Sequence, residues 1–440
     1  MKTLQQLAIL VFLGIQCISY GQENKLDIIK QKFDPLLTEQ NKGVAVLIKK
    51  DKEIKTLSLG SFNLNENNVF NIGSATKTFT AILFLQEMEK GNIHLTDSIG
   101  TYLTPIKNVP QCLTIEALLT HESGLDEIIG RNIETIFYAK NDSLYNDNLL
   151  NQVEKNDPKM IDKYDYCNTN YFLLGRIIEK VTDQSYFDLV RERIITPLKM
   201  ENTYPYVHKN LPNLATPFHQ EKDVTDYLDY KYYANIAYAA GSIASTLSDM
   251  EIFYTSLFET EILLKKETVK QMIESGNDSY GLGLMKSSYD GKKLVGHGGN
   301  NIGYSFRNNY DPETKNLYLM FNNTHRMPLN ESLKNDLLAY LDNKEIEKFN
   351  NVNIDNFKKF VGKYLLKEAN LIFEIAQENG KLFLIAEAQG IKSKLTQKNS
   401  TTLYDTTVGA TLEVVDGNEN ALTFSQNGFT TIINKVITKS

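Results

Sequence analysis

A serine and a lysine stand three positions apart in Asn71-Ile72-Gly73-Ser74-Ala75-Thr76-Lys77-Thr78-Phe79-Thr80. Together they are the raw material of a nucleophile. A serine hydroxyl attacks a carbonyl poorly unless a base or a cation lies beside it. The next residues run apolar at helical spacing through Phe79, Ile82, Leu83, Leu85 and Met88, which predicts a helix starting near Ser74. Positions i and i+3 share a helix face, so Ser74 and Lys77 point the same way. Gly73 lets a substrate approach the backbone closely. A polar first turn with a solvated lysine would leave the same letters, and so short a pattern also arises by chance. The pair gains meaning from its company further along the chain.

Two further stretches carry chemistry. Tyr164-Asp165-Tyr166-Cys167-Asn168-Thr169-Asn170-Tyr171 sets a tyrosine just before a helix whose apolar positions include Phe172, Leu174, Ile177, Ile178 and Val181, with Asn168 to Asn170 as capping candidates. Near a lysine, a phenol ionises more easily and can act as a base. The same Y-x-N spacing recurs at Tyr233-Ala234-Asn235, so the triplet alone decides nothing. In Val295-Gly296-His297-Gly298-Gly299-Asn300-Asn301-Ile302-Gly303-Tyr304, glycines allow a backbone to lie against a ligand, and exposed N–H groups there can hold an oxyanion. His121, in Thr120-His121-Glu122-Ser123-Gly124-Leu125, reads more readily as a turn anchor bonding backbone groups than as a catalyst. There is no H-E-x-x-H and no tight histidine pair, so neither a metal nor a cofactor is expected.

These residues need a scaffold. A helix is expected around Leu26 to Leu37, then a buried strand Gly43 to Ile48, a turn at Asp51-Lys52 and a returning strand Ile54 to Leu59. The Ser74 helix ends at Lys90-Gly91. Thr114 caps a short helix, and residues 126 to 160 suit a surface insertion or flap. The passage Ala239 to Thr246 leads into a helix at Leu247. Tyr280 to Met285 reads as a glycine-punctuated strand, and Tyr304 to Tyr310 and Leu317 to Phe321 as an antiparallel pair. Leu333, Leu337, Leu338 and Leu341 form one face of a closing helix. After a polar linker at 346–355 the pattern changes. Short strands broken by Glu378-Asn379-Gly380, Asp416-Gly417 and Gln426-Asn427-Gly428 predict a separate all-β module over 356–440.

With 440 residues and 42% apolar content the chain can bury a sizeable core. A net charge of −7 with no basic block argues against nucleic acid as a partner. The start reads as an export signal over 1–21: Lys2, an apolar run Leu7 to Ile18 too short to span a bilayer, and small residues in Ser19-Tyr20-Gly21. The expected mature protein is secreted or periplasmic and carries no membrane span. It retains Cys112 and Cys167, which do not by themselves make a disulfide framework.

Ser74-Ala75-Thr76-Lys77, Tyr166-Cys167-Asn168 and His297-Gly298-Gly299 together resemble, in order and spacing, the serine β-lactamase and penicillin-binding-protein superfamily. Within it they look like the class C β-lactamase-related serine hydrolases. Leu118 to Leu125, Pro197-Leu198-Lys199-Met200 and the Gly241 passage match as well, and the likeness covers roughly residues 27–345. The last module looks like the lipocalin-like domain often appended to these hydrolases. Cys167 departs from the usual serine, His297 stands where β-lactamases carry the lysine of Lys-Thr-Gly, and the class A S-D-N motif is missing. The resemblance implies an α+β fold: an antiparallel sheet flanked by helices, an all-helical region, and the site between them. It implies an acylated Ser74, with Lys77 and Tyr166 sharing the proton transfer. Asn168, His297, Gly298 and Gly299 would bind substrate, and the N–H groups of Ser74 and Asn300 would form the oxyanion hole. It implies a small-molecule or peptide substrate: an ester, an amide or a D-amino-acid peptide. The alternatives are a D-alanyl-D-alanine carboxypeptidase or class C-like β-lactamase, and a sensor that acylates without turnover. A histidine in place of the wall lysine is mostly neutral near pH 7, which weakens attraction for a substrate carboxylate and favours neutral esters.

Overall fold

The computed structural model describes residues 24–436, apart from 131–132, 140–146, 229, 326, 328, 347, 349, 406, 408 and 427–428. The expected export signal lies outside the described residues.

One antiparallel sheet separates two apolar cores. Its strands are β1 (Gly43–Lys50), β2 (Glu53–Gly60), β3 (Met285–Tyr289), β4 (Lys292–Gly296), β5 (Gly299–Asn301), β6 (Tyr304–Tyr310) and β7 (Leu317–Asn322). They lie in the order β2-β1-β7-β6-β4-β3, with β5 paired to β6. Side chains alternate across a strand, so β1 feeds both cores: Ala45 and Leu47 enter one, Val44, Val46 and Ile48 the other. The second core is closed by α1 (Lys25–Glu39) and α6 (Leu329–Leu341), which are tied by a buried Lys32–Asp336 ion pair at 2.7 Å.

The first core is larger and holds α2 (Thr76–Glu89), α3 (Ile115–Leu119), α4 (Asn168–Thr182) and α5 (Leu247–Glu259). Every side chain from Thr76 to Leu85 is buried, so α2 is enclosed on all sides rather than amphipathic. Phe79 stacks on Phe253 of α5 with centroids 4.0 Å apart. Thr114 and Thr246 cap α3 and α5 by accepting the N–H groups of Ala117 and Asp249.

The expected strand at Tyr280–Met285 is a tight loop instead. Gly281 N–H donates to Leu284 O, Leu282 N–H donates to Met272 O, and Gly283 takes φ +74° against α2. A Cβ on Gly283 would stand 2.5 Å from that of Ala81, so the glycines serve this close approach, and the ladder begins only at Met285.

The C-terminal strands close into an eight-stranded antiparallel barrel. They are β8 (Gly362–Leu366), β9 (Leu371–Glu378), β10 (Lys381–Ala386), β11 (Ile391–Asn399), β12 (Thr402–Asp405), β13 (Thr411–Val415), β14 (Asn418–Gln426) and β15 (Phe429–Lys435). The Asn379-Gly380 and Asp416-Gly417 turns sit at hairpins, as their sequence predicts. Phe357 and Phe360 join the barrel core, with Val352 and Ile354 against it. The barrel meets the sheet domain on the α1/α6 side. The Tyr404 hydroxyl bonds Ser332 Oγ at 2.8 Å, Lys32 Nζ lies 5.7 Å from the Tyr404 ring centre, and Gln397 N–H donates to Asn350 O.

Candidate active site

The turn that carries Ser74 is held from below by a residue sequence reasoning passed over. Asn71 Nδ2 bonds the carbonyl oxygens of Gly241, Ser242 and Ile243 at 2.9 to 3.0 Å, and Asn71 Oδ1 accepts Gly73 N–H. Gly73 takes φ +55°, a 3-10 turn comes next, and α2 continues from it. This places Ser74 Oγ 3.1 Å from Lys77 Nζ, on one helix face as the spacing predicts.

Lys77 has two other polar partners, Asn168 Oδ1 at 2.7 Å and Ala240 O at 2.8 Å. Both can only accept. An ammonium satisfies all three partners with its three N–H donors. A neutral amine has two, and once they point at Asn168 and Ala240 its lone pair is left toward Ser74. Burial drives Lys77 from the ordinary 10.5 down to about 7, against the opposing field of Glu127. The neutral form is therefore well populated near neutrality.

Asn168 is oriented by Glu127. Its Nδ2 donates to Glu127 Oε2 at 3.0 Å, and the same carboxylate accepts Asn168 N–H, while Glu127 Oε1 accepts Ile129 and Gly130 N–H. Two partners of opposite type fix which end of the amide faces Lys77. The expected capping by Asn168 to Asn170 does not occur, because Glu127 caps α4 and the asparagine side chains are engaged elsewhere. Glu127 was not singled out from sequence.

Tyr166 lies with its ring centre 5.0 Å from Lys77 Nζ. Its buried hydroxyl has no aligned hydrogen-bond partner among the described residues. Burial holds the phenol well above its usual value, and only neighbouring Ser74 pulls notably the other way. His121 is a turn anchor, as read from sequence: at φ +61° its Nδ1 accepts Cys167 N–H at 3.1 Å. Its proton therefore sits on Nε2, which is buried without a partner among the described residues, and the ring centre lies 4.2 Å from that of Tyr166 with the two planes tilted by 37°. Burial, then the charges of Lys77 and His297, hold this imidazole well below its usual value. Tyr233 is enclosed beside Phe137 and Tyr232, and Asn235 bonds Lys231 O, so the second Y-x-N triplet does not touch Lys77. Cys112 is exposed and Cys167 buried, and both are free thiols.

The facing wall is the His297 loop between β4 and β5. His297 Nδ1 lies 2.7 Å from Gly298 O, which can only accept, so Nδ1 carries the proton and Nε2 accepts from the Tyr280 hydroxyl at 2.8 Å. Burial and then the Lys77 cation push this imidazole down to about 3, so it is neutral with both nitrogens occupied. Tyr280 was missed because it stands in the stretch expected to be a strand.

The last piece is a backbone seam. A Cβ on Gly299 would fall 2.0 Å from Ile72 O and 2.7 Å from Ser74 N, and one on Gly73 would fall 3.0 Å from Asn300 N. Asn301 and Tyr304 close a two-residue hairpin, so by ladder alternation Asn300 opposite Ser305 directs its N–H away from β6. The amides of Ser74 and Asn300 thus converge at the mouth of a cleft of about 520 Å³ that Ser74, Tyr166 and His297 line. Among the described residues no group of three or more histidine, cysteine, aspartate or glutamate side chains could hold a metal, and no helix is long and apolar enough to cross a membrane.

The chain is similar to several known proteins. Penicillin-binding protein 4* of Bacillus subtilis (strain 168) is 25% identical over 395 residues, covering 82% of this chain and 86% of that protein. Teichoic acid D-alanine hydrolase of Staphylococcus aureus is 27% identical over 229 residues, 49% of this chain and 52% of that one, so the match spans about half of each. In fold, the octameric penicillin-binding protein homologue of Pyrococcus abyssi covers 90% of this chain and 97% of its own, with a TM-score of 0.61 at 23% identity. The D-amino acid amidase of Ochrobactrum anthropi SV3 covers 72% of this chain and 99% of its own, with a TM-score of 0.62 at 22% identity. The family model described as Beta-lactamase matches residues 29–341, well over half the chain, and the protein belongs to that family.

Proposed function

We propose that this chain hydrolyses an ester, an amide or a D-amino-acid peptide through an acyl–Ser74 intermediate. The observation that carries this reading is the set of acceptors around Lys77, which leaves the lone pair of the neutral amine facing Ser74 Oγ. Lys77 takes the Ser74 proton as Oγ bonds to the substrate carbonyl carbon. The negative oxygen formed there is held by the N–H groups of Ser74 and Asn300. The bond to the leaving group then breaks, and that group leaves with a proton supplied through Lys77 and the Tyr166 hydroxyl. Water next attacks the acyl carbon, gives a proton back along the same route, and frees Ser74. Because burial keeps Tyr166 protonated, Lys77 is the resting base and Tyr166 the relay.

Two of the similar proteins are named a teichoic acid D-alanine hydrolase and a D-amino acid amidase, which supports a D-configured acyl group as the substrate class. Intact-mass spectrometry with a fluorophosphonate or a penicillin is expected to show one adduct, mapped to Ser74. An adduct that persists in Ser74→Ala would sink the assignment. Turnover of a D-alanyl ester beyond one equivalent separates a hydrolase from a sensor that only acylates. We also place the reaction outside the cytoplasm, on the charge and apolar run of residues 2–18. Sequencing of the mature N-terminus should then begin at Gln22.

A further inference from the structure

The wall facing Ser74 is held off its neighbouring strand at one residue pair. β4 pairs with β6 at Val295 opposite Tyr310, the ladder lapses, and β5 resumes it at Gly299 opposite Phe306 in the same register. Antiparallel strands exchange N–H and C=O bonds at every second facing pair. Counted from the Asn301/Tyr304 hairpin end, His297 opposite Asn308 is such a pair. There the Asn308 side chain takes the place of the ladder. Its Oδ1 accepts His297 N–H at 3.2 Å, and its Nδ2 donates to His297 O at 2.8 Å. A carboxamide offers the same donor and acceptor as a peptide, but from beyond Cβ and Cγ, so it holds the His297 peptide away from β6. Gly296 makes room for it, since a Cβ there would fall 2.2 Å from Asn308 Oδ1.

The passage displaced in this way is the one that reaches the nucleophile. Just past His297, Gly299 lies against Ile72 O and Ser74 N, and Asn300 N lies against Gly73. The His297 ring is spoken for as well: Nδ1–H donates to Gly298 O, and Nε2 accepts from the Tyr280 hydroxyl. Both main-chain polar atoms and both ring nitrogens of His297 therefore have partners inside the protein. Its side chain is a spacer in the wall, and Asn308 is what fixes where that wall stands.

We infer that Asn308 is a positioning residue for the oxyanion hole: its side-chain amide, standing in for the ladder at His297, sets how far the passage from His297 to Asn300 projects toward Ser74. This rests on the acyl–Ser74 reading and goes beyond it. It also gives His297 a structural part in place of the substrate contact that its place in the motif implies. With glycine at 308 the two main chains are free to zip together at this pair, which draws the Asn300 N–H back from the carbonyl that Ser74 attacks. A misplacement of about 1 Å costs about 100-fold in rate.

The test uses the full chain and the boronic acid analogue of N-acetyl-D-alanine, which bonds Ser74 Oγ to become a tetrahedral anion and so reports on the oxyanion hole. In Asn308→Gly, kcat/KM for a D-alanyl ester and affinity for the boronic acid should both fall about 100-fold, with KM little changed. Gly296→Ala reaches the same contact from the opposite strand and should do likewise. The double variant should lose no more than the worse single one, because without the amide the new Cβ has lost its nearest obstacle. A residue that only stabilised the fold would lower the melting temperature and leave boronic acid affinity unchanged. That outcome, or additive losses in the double variant, overturns the proposal. A crystal structure of the unaltered protein with the boronic acid requires no variant to fold. It should show an adduct oxygen on the N–H groups of Ser74 and Asn300, and the Asn308 amide still bonded to His297. An adduct oxygen bonded to His297, or an Asn308 turned away from it, also overturns the proposal and leaves the hydrolase reading standing. Failure of both the boronic acid and a fluorophosphonate to bond Ser74 in the unaltered chain would instead remove the hydrolase reading.

Discussion

Around Ser74 the protein encloses Lys77, His121 and His297 completely, and among the described residues it leaves His121 Nε2 and the Tyr166 hydroxyl with no aligned hydrogen-bond partner. The barrel treats polar groups the other way. Its interior is Phe357, Tyr364, Leu403 and their neighbours, and its enclosed Asp405 accepts the Ser393 hydroxyl and Thr407 N–H. Among the described residues no buried polar side-chain atom in the barrel goes unpaired. Unpaired buried polar groups cost about 1 to 3 kcal/mol each, so a fold carries them where something else requires them. The contrast separates a region shaped by chemistry from one shaped by stability.

The largest effect expected from this contrast is at Tyr166. Tyr166→Phe removes only the hydroxyl and should lower kcat/KM by about 100- to 10,000-fold. Tyr233 also has a buried hydroxyl with no partner among the described residues, but it stands away from Lys77. Equal losses in Tyr166→Phe and Tyr233→Phe would show that an orphaned hydroxyl, and not its neighbour, is what matters, and the assignment of the relay would fall.

A smaller effect concerns pH. Only the neutral Lys77 can accept the Ser74 proton, and its pKa lies at about 7. Activity should therefore climb as pH rises through about 7 and fall roughly tenfold per unit below it. His297, at about 3, and His121, held well below its usual value, are neutral throughout, so the acid limb is a single titration. Glu127 raises the Lys77 pKa. In Glu127→Gln the limb should move to lower pH, while the glutamine carbonyl can still accept from Asn168. A limb near the ordinary lysine value of 10.5 in the parent protein, or one unmoved in Glu127→Gln, would contradict Lys77 as the base.

The smallest effect on chemistry is expected from the barrel. Leu403→Ala should cost about 2 to 5 kcal/mol of barrel stability, yet leave Ser74 labelling unchanged. A chain ending near Asn350 should also still be labelled by a small ester. The barrel core shares no member with the two cores of the sheet domain, and the two regions meet on the α1/α6 side. Loss of labelling in a truncation that stays folded by circular dichroism would join the two regions functionally.

How much can be read from sequence depends on the range of each signal. Ser74 with Lys77 and Tyr166 with Asn168 are close in the chain, and helix periodicity orients them. Asn-Gly and Asp-Gly turns reveal barrel hairpins for the same reason. Closure of the barrel depends on pairing Tyr364 with Lys435 and Leu365 with Asn434, far apart in sequence, and no local pattern announces it. Glu127, Asn71 and Tyr280 were passed over because each acts across the fold through a loop or a neighbouring strand. Asn168 misled in a different way. Its side chain suits a cap, but Lys77 and Glu127 already engage both ends of the amide.

The seam at Gly299 makes an unusual demand on variation. The obstruction there is a carbonyl oxygen 2.0 Å from the Cβ position, not the tip of a pliable side chain. Alanine and tryptophan would meet it alike at their first carbon. Next door, a Cβ on Gly298 would meet Phe306 O at 3.1 Å and a movable arginine at 3.2 Å. A saturation library should therefore return a graded series of survivors at 298 and a single letter at 299. There the substitution pattern of descendants would record a distance between two peptide planes and nothing about side-chain preference.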